Sequence, residues 1–248
     1  MSILFAVFAI TASIFFPGCG SPNVSATHTD NQSFSAPVTG TKTPVLVELF
    51  TSEGCSSCPS ADAALQWLDA TQPVEGVEVV ALSLHVDYWN QLGWADPFSS
   101  ARYTARQQAY GKDTYTPQMI IDGDAAFVGS KSRAVEVLAE RKGEQRAEVT
   151  LAAKLKGSFI EVSAKSDSAS PLWVAVAESG LSHPVTRGEN SGKTLSHTAV
   201  VRQLLKVGAN GTVSIPIDAG WKVDALKVVA FVQQPGPGKV LGVAWTKL

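Results

Sequence analysis

Two cysteines separated by two residues are the part of the sequence best suited to chemistry. Cys55 and Cys58 follow an almost continuous apolar run at residues 45–50 and precede a helical pattern at residues 61–70. A cysteine at the start of a helix faces unpaired backbone N–H groups and the positive end of the helix dipole, and both stabilise a thiolate. We therefore expect Cys55 to be the exposed, attacking thiolate and Cys58 to resolve the mixed disulfide.

The cysteine content favours a chemical role over a structural bond. The chain has 3 cysteines, and Cys19 lies in the N-terminal segment, so Cys55 and Cys58 are the pair left in a mature chain. The loop that they would close is very short, and the stabilisation from closing a loop grows with its length. One C-x-x-C motif supplies too few ligands for a closed zinc site. A site for Cu(I) or another soft metal, with His85 as a further ligand, is the alternative.

The elements around the cysteines predict an α/β domain over residues 44–145. Residues 45–50 and 77–84 are apolar enough to be strands buried on both faces, and the cysteines and a helix lie between them. This order of strand, cysteine-bearing turn, helix and strand opens a βαβ unit and is typical of a thioredoxin-like fold, a mixed sheet with flanking helices. An aromatic-rich insertion at residues 85–98 follows. Further on we expect a helix, a strand, its hairpin partner and a last helix, at residues 100–110, 116–121, 125–128 and 130–142.

Residues 146–248 have a different pattern and predict a second domain. Short β-favouring stretches alternate there with turn signals such as Asn210-Gly211. About seven strands in roughly 100 residues indicate a mostly β, sandwich-like domain. The predicted strands lie at residues 147–155, 159–165, 172–178, 198–207, 212–217, 225–233 and 240–247.

Three further residues are candidates for the site of a thioredoxin-like domain. In such folds a cis-proline packs opposite the dithiol and the preceding backbone pairs with a substrate peptide, which assigns these roles to Pro117 and Thr116. A trans proline that begins an edge strand is the alternative. Glu48 is a carboxylate in an apolar strand, and a buried Glu with a raised pKa can relay protons for Cys58. The alternative is a Glu at a sheet edge with its carboxylate in water.

The segment after the second strand supplies candidates for substrate binding. His85 and Asp87 stand at the strand end, where α/β sheets usually carry function, and can orient substrate or adjust the thiol. The alternative is that they fix the loop. Trp89 and the other aromatic residues of the insertion form either a peptide-binding surface or the small core of that insertion. The polar run at residues 187–197 is either a site-forming loop that folds over the dithiol or a solvated hairpin connection.

Several of these motifs together resemble an uncharacterised family of secreted bacterial thioredoxin-like proteins. The resemblance covers nearly everything from Pro44 onward and implies a fold and a dithiol, but no reaction and no substrate. The family pattern often has Asp where Asn90 stands and a second His where Ala199 stands, so a role that needs either side chain is in doubt for this chain. The motifs are VELFTSEGCSSCP at residues 47–59, HVDYW at 85–89, LGW at 92–94, DPF at 96–98, YTPQM at 115–119 and RGEN with TLSH at 187–190 and 194–197.

The N-terminus predicts export from the cytoplasm. Residues 3–16 are almost entirely apolar but too few to span a bilayer, which is typical of a signal peptide, here residues 1–18. Residues 19–43 are rich in Ser, Thr, Asn, Pro and Gly and predict a flexible linker. Cys19 is either an acylated first residue of a lipoprotein or, after ordinary cleavage nearby, a cysteine without a role. We expect a periplasmic or secreted protein, anchored to a membrane if Cys19 carries lipid.

Composition narrows the function classes. The 248 residues are 45% apolar with a formal net charge of −2, and there is no basic cluster, so nucleic acid is not an expected partner. We expect a thiol–disulfide oxidoreductase that acts on protein thiols or disulfides with a separate redox partner, without a cofactor or a resident metal. The alternatives are a soft-metal delivery protein and a redox-sensing module that binds a partner through its β domain.

Overall fold

The computed structural model describes Ser2, Leu4, Phe34–Ser35 and residues 42–207 and 211–248. The predicted lipidation site Cys19, nearly all of the predicted signal peptide and most of the predicted linker lie outside the described residues. The chain divides into two units, Met1–Asn31 and Gln32–Leu248, and the following description applies to the second.

In this described part, helices occur only before residue 141, apart from one short 3₁₀ turn at Val223–Ala225. The α-helices are α1 (Cys58–Thr71), α2 (Ala101–Ala109) and α3 (Lys131–Glu140), and a 3₁₀ turn covers Asn90–Leu92. The strands are β1 (Phe34–Ser35), β2 (Thr43–Thr51), β3 (Val77–His85), β4 (Gln118–Ile121), β5 (Ala125–Val128), β6 (Val149–Lys156), β7 (Phe159–Ser166), β8 (Leu172–Glu178), β9 (Leu181–Pro184), β10 (Thr194–His197), β11 (Val200–Lys206), β12 (Thr212–Pro216), β13 (Leu226–Gln233) and β14 (Val240–Lys247).

One mixed sheet of eight strands organises the molecule, in the order β14-β13-β8-β11-β3-β2-β4-β5. Strands β2 and β3 are parallel over their whole length, from Thr43 opposite Val77 to Thr51 opposite His85. Strand β11 also runs parallel to β3, and the remaining neighbours are antiparallel. The predicted mixed α/β architecture is confirmed.

Helices cover both faces of the central strands. A Cβ atom on Gly129 would lie 2.6 Å from Ala61 Cβ and 3.4 Å from Leu49 Cδ1, so α1 covers the face to which Leu49 points. The next residue, Phe50, packs its ring edge-on against Tyr110 at the end of α2, with 6.2 Å between ring centroids. Because successive side chains of a strand point to opposite faces, α1 and α2 lie on opposite sides of the sheet. Both faces are buried, which explains the continuous apolar runs of β2 and β3.

The strands after residue 146 do not all belong to a sheet of their own. Strands β8, β11, β13 and β14 continue the eight-stranded sheet, whereas β6, β7 and β12 form a four-stranded sheet with β1. This second sheet packs on β8 and β13 through a separate apolar core that includes Ile160, Val176 and Val228. A separate C-terminal β domain is therefore not confirmed. A strand's own sequence shows whether its faces are buried, but not which distant strand it pairs with. None of the helices in the described ranges is long and apolar enough to cross a membrane.

Candidate functional site

The two cysteines of the C-x-x-C motif are joined in a disulfide at the start of α1. Their Cα atoms are 5.4 Å apart, and the Ser57 hydroxyl lies 3.4 Å from Cys55 Sγ. Pro59 occupies the first turn of α1, where its missing N–H costs no hydrogen bond. Both cysteines are 0% exposed. The expectation that Cys55 is open to a substrate is therefore not met in this state, and another part of the chain covers it.

The loop between β9 and β10, residues 185–193, covers the disulfide and is called the cap loop. Glu189 Oε2 accepts a hydrogen bond of 3.0 Å from the Ser56 N–H, and hydrogen bonding from Ser56 lowers the pKa of Glu189. The buried Asn190 donates through Nδ2 to the carbonyl oxygens of Glu53 and Cys55, each at 2.9 Å. Part of the polar run at residues 187–197 therefore folds onto the cysteine turn, as the first of its two interpretations expected.

A buried carboxylate beside the disulfide fixes the hairpin that carries the cap loop. Glu53 is fully buried and accepts hydrogen bonds from Trp94 Nε1 at 2.9 Å and His183 Nδ1 at 3.0 Å through Oε2. Its Oε1 lies 3.2 Å from His197 Nε2. The cap loop also packs tightly, since a Cβ atom on Gly188, which has a φ of +75°, would approach Trp94 Cβ to 3.0 Å. Sequence reasoning did not find Glu53, although its position two residues before Cys55 was a usable signal.

A second buried acid–histidine pair lies next to Glu53. His85 Nδ1 and Asp96 Oδ2 are 2.7 Å apart, and the same oxygen accepts the Glu53 N–H at 2.8 Å. Burial lowers the pKa of His85, but the charge and hydrogen bond of Asp96 outweigh it, so the pKa is raised. In turn, burial raises the pKa of Asp96, but His85 outweighs that effect and the pKa is lowered. The rings of His85 and His197 are in edge contact, with centroids 4.8 Å apart.

Asp62 extends this group of polar residues under the disulfide. It lies on α1 four residues after Cys58, it is buried, and its Oδ1 has no partner among the described residues. Burial raises the pKa of Asp62, and the nearby His197 and His85 oppose part of that increase. Four more buried polar atoms of this region lack a described partner, namely Thr51 Oγ1, Ser83 Oγ, His85 Nε2 and His197 Nδ1. These five residues are called the inner cluster.

The structure does not bring Glu48 to the cysteines. Glu48 precedes Leu49 in β2 and therefore points to the α2 face, opposite the face that α1 covers. There Arg106 binds it with Nε at 2.6 Å and Nη2 at 3.0 Å, and the Tyr110 hydroxyl donates a further hydrogen bond. Burial and the adjacent Glu48 carboxylate raise the pKa of Tyr110 well above its usual value. The carboxylate is thus neither in water at a sheet edge nor next to Cys58.

Thr116 and Trp89 are joined by a hydrogen bond close to the cysteine turn. The peptide bond between Thr116 and Pro117 is cis. Trp89 Nε1 donates to Thr116 Oγ1 at 2.8 Å, and a Cβ atom on Gly54 would lie 3.0 Å from Trp89 Cβ. Trp89 therefore connects the turn before Cys55 with the segment before Pro117.

Asp87 contacts α2 and not the cysteine turn. Its Oδ1 accepts a hydrogen bond of 2.5 Å from the Thr104 hydroxyl, and its N–H donates to the same hydroxyl at 3.1 Å. These bonds fix the loop after β3 to α2, which agrees with the loop-fixing alternative. His85 instead points toward Asp96, so the structure does not pair His85 with Asp87.

These observations define a mixed α/β protein in which a polar loop covers a C-x-x-C disulfide at a helix start. The chain belongs to the family described as "Protein of unknown function (DUF1223)", which matches residues 46–233. The predicted membership of a family without an established activity is confirmed. Within the described residues, no group of three or more His, Cys, Asp or Glu side chains is arranged to hold a metal ion.

Two solved structures are similar to this chain. A crystal structure of a protein from Agrobacterium tumefaciens has a TM-score of 0.62 and 30% sequence identity, and the match covers 83% of this chain and 95% of that one. HBP35 of Porphyromonas gingivalis has a TM-score of 0.57 and 19% identity, with 84% of this chain and 76% of that one covered, and this likeness shows the fold alone. No curated protein matches the sequence.

Proposed function

We propose that the protein is a thiol–disulfide oxidoreductase that acts on protein thiols or disulfides outside the cytoplasm. One observation carries the proposal: the Cys55–Cys58 disulfide lies at the N-terminus of α1, directly after the central strand β2. There the unpaired N–H groups and the dipole of the helix stabilise a thiolate once the bond is reduced. The order β2, α1, β3, α2, β4, β5 and α3 supports a thioredoxin-like unit within the larger sheet.

The chemistry follows from the positions of the two sulfurs. In the reduced protein, the Cys55 thiolate attacks a substrate disulfide, bonds to one substrate sulfur and releases the other as a thiolate. The Cys58 thiolate then attacks Cys55 Sγ, closes the Cys55–Cys58 bond and releases the second substrate sulfur. The substrate gains two electrons and the protein loses two. The reverse sequence oxidises a substrate dithiol, and the redox potential of the pair sets the direction.

The cap loop adds a requirement to this chemistry. Both cysteines are fully buried, and Glu189 and Asn190 bond to the backbone of Ser56 and Cys55, so we expect a substrate to reach Cys55 only after the cap loop has moved. The cap bonds involve the backbone of Ser56, Cys55 and Glu53, which are the groups that an incoming peptide would face. We propose that substrate backbone replaces these contacts during exchange, so that the cap loop selects partners able to displace it.

The redox potential of the Cys55–Cys58 pair tests the function. The mature chain is equilibrated in glutathione buffers, and the fraction of reduced protein is measured by thiol alkylation and mass spectrometry. We expect a reversible two-electron transition between about −270 and −120 mV, the range of known exchange catalysts. A pair that stays oxidised below about −300 mV would indicate a structural disulfide and overturn the proposal.

A further inference from the structure

The inner cluster is unusual because its polar atoms are buried without partners. Asp62, Thr51, Ser83, His85 and His197 each have one side-chain atom that is inaccessible and makes no hydrogen bond to a described residue. In folded proteins, nearly all buried polar atoms have a partner, and exceptions need an explanation. Three of these five residues, Asp62, His85 and His197, are titratable, so this region next to the disulfide contains groups that can take up and release protons.

The position of Asp62 relates the inner cluster to one particular sulfur. Residues four apart on an α-helix are neighbours on the same face, with about 5–6 Å between their Cβ atoms. Asp62 is therefore the residue of α1 that lies one turn below Cys58, inside the core. Glu48, the acid that the sequence suggested for this task, lies on the other face of the sheet and is bound by Arg106.

We infer that Asp62 is the proton carrier for Cys58, a role that rests on the proposed function. When the Cys55–Cys58 bond is opened by a substrate thiolate, the substrate sulfur bonds to Cys55, and Cys58 leaves as a thiolate. The Asp62 carboxylic acid gives its proton to that thiolate and becomes a carboxylate. In the reverse direction, the Asp62 carboxylate removes the proton from the Cys58 thiol, whose sulfur then attacks Cys55 Sγ of the mixed disulfide.

The surroundings of Asp62 suit a carrier that changes charge. Burial raises the pKa of Asp62 and Asp96 raises it further, while His197, His85 and the Thr51 side chain lower it. The carboxyl group therefore keeps its proton at a higher pH than an exposed Asp, and the two histidines limit the cost of the carboxylate that forms. Glu53, the remaining acid of this region, is bound to His197 and to the partly exposed His183.

Two hydrogen bonds lead from the inner cluster toward solvent. His197 has an unpartnered Nδ1 in the inner cluster, and its Nε2 lies 3.2 Å from Glu53 Oε1. The other oxygen of Glu53 accepts from His183 Nδ1 at 3.0 Å, and the His183 side chain is 33% exposed. His197, Glu53 and His183 thus form a hydrogen-bonded series from the inner cluster to the surface, and Asp62 lies close enough to His197 for the His197 charge to lower its pKa.

Reaction of the reduced mature chain with oxidised glutathione tests the assignment. At low concentrations the rate reports attack by Cys55, and at saturating concentrations it reports resolution of the glutathione mixed disulfide by Cys58. We expect Asp62→Asn to lower the saturating rate by at least about tenfold. This lower limit is set beneath the roughly 100-fold or larger effect that a general acid or base usually has on a rate. The bimolecular rate should stay within about twofold. Asp69→Asn, the same change two turns further along α1, where the carboxylate pairs with Lys227, is the matched control and should leave both rates unchanged.

The pH profile of the saturating rate separates a proton carrier from a structural residue. We expect one inflection from Asp62 in the unmodified chain, its loss in Asp62→Asn, and its displacement to higher pH in His197→Gln, since His197 lowers the pKa of Asp62. Equal saturating rates and equal pH profiles for Asp62→Asn and Asp69→Asn would overturn the assignment while exchange itself remained. If the unmodified chain failed to react with oxidised glutathione at any pH, the proposed function itself would be wrong.

Infrared spectroscopy gives a readout that needs no turnover. A protonated carboxylic acid has a C=O band that a carboxylate lacks. Because burial raises the pKa of Asp62, we expect this band in the oxidised protein to persist to a higher pH than the band of an exposed Asp. The band should disappear in Asp62→Asn and remain in Asp69→Asn. A band that persisted in Asp62→Asn would assign the proton to another acid and overturn the inference.

Discussion

Cys55 and Cys58 differ in what they can reach, and their roles follow from that difference. Cys55 precedes the helix and lies beneath Asn190 of the cap loop, whereas Cys58 is the first residue of α1 and lies above Asp62. In the proposed exchange, Cys55 therefore meets the substrate once the cap loop opens, and Cys58 exchanges its proton with Asp62.

Trapping of mixed disulfides tests this division of roles. We expect Cys58→Ala to accumulate covalent complexes with client proteins, because the mixed disulfide at Cys55 then has no resolving thiol. Cys55→Ala should accumulate none, because the remaining thiol, on the buried first residue of α1, is assigned to resolution and not to attack. Complexes are counted on non-reducing gels of extracytoplasmic extracts. Equal trapping by the two variants would contradict the roles.

Asn190 is the residue whose loss should expose the disulfide most directly. Asn190→Ala removes the hydrogen bonds to the Glu53 and Cys55 carbonyl oxygens, and we expect reduction by a water-soluble phosphine to become severalfold faster. Ser191→Ala is the matched control, because its hydroxyl bonds to Thr186 within the cap loop rather than to the cysteine turn. Identical reduction rates for both variants and the unmodified chain would show that the cap loop does not limit access.

Asp62 should reduce the stability of the folded protein near neutral pH. Its pKa is raised from 3.8 on folding, so the folded state binds the proton more tightly than the unfolded state. The free energy of unfolding therefore loses a contribution as the pH rises from the unfolded pKa through the folded pKa. We expect Asp62→Asn to gain stability at pH 7 relative to the unmodified chain and to gain less at pH 4, measured by urea unfolding. A gain that did not grow with pH would contradict the raised pKa.

At the scale of elements, a buried ion pair is one of the contacts that attach α2 to the sheet. Glu48 of β2 and Arg106 of α2 are both almost inaccessible, and Gln233 of β13 also accepts from Arg106 at 3.1 Å. The pair thus links three elements that are far apart in the sequence. Its contribution is structural, since none of these contacts involves a cysteine.

Loss of one partner of this ion pair should strongly destabilise the folded protein. Glu48→Gln leaves the Arg106 charge buried without its counter-ion, and we expect the free energy of unfolding to fall by about 3–5 kcal/mol. The exposed pair Arg133–Glu136 provides the comparison, and Glu136→Gln should cost no more than about 0.5 kcal/mol. Both are measured by urea unfolding. Similar losses for the two variants would contradict the importance given to burial.

The sequence predicted the positions of the helices and strands better than it predicted which distant elements and side chains they contact. Apolar runs and turn residues located β2, α1 and β3 to within about three residues, because local periodicity carries that information. The short polar strands β9 and β10 were missed, since neither has an apolar run. The site contacts of Glu53 and Glu48 were missed for a different reason: their partners lie far along the chain, at His197 and Arg106, and only the folded sheet brings them together.

At the scale of the whole molecule, the C-terminal strands complete both the sheet and the site. Strand β3 is bonded on one side to β2 and on the other to β11, so a chain that ends near residue 145 leaves an apolar central strand with an open edge. It would also lack Asn190, His183 and His197. The predicted boundary at residue 146 therefore separates strands that belong to one continuous sheet in the described structure.

A fragment of residues 44–145 tests whether that boundary separates independent domains. We expect the fragment to lack cooperative urea unfolding and to aggregate, because exposed apolar strand edges pair with other chains. Residues 42–248 serve as the control and should unfold cooperatively, as followed by circular dichroism. A fragment with a sharp unfolding transition would establish an independent N-terminal domain.

The cap loop bonds to three backbone groups of the cysteine turn, namely the Ser56 N–H and the carbonyl oxygens of Glu53 and Cys55. The Ser56 side chain adds to the hydrogen bonding of Glu189. None of these cap contacts involves the side chain of Ser57, so the identity of residue 57 is free of this constraint. Ser57, whose hydroxyl lies 3.4 Å from Cys55 Sγ, can therefore be exchanged to adjust the sulfur's reactivity while the cover stays in place. Reactivity and access can accordingly evolve, or be engineered, one at a time.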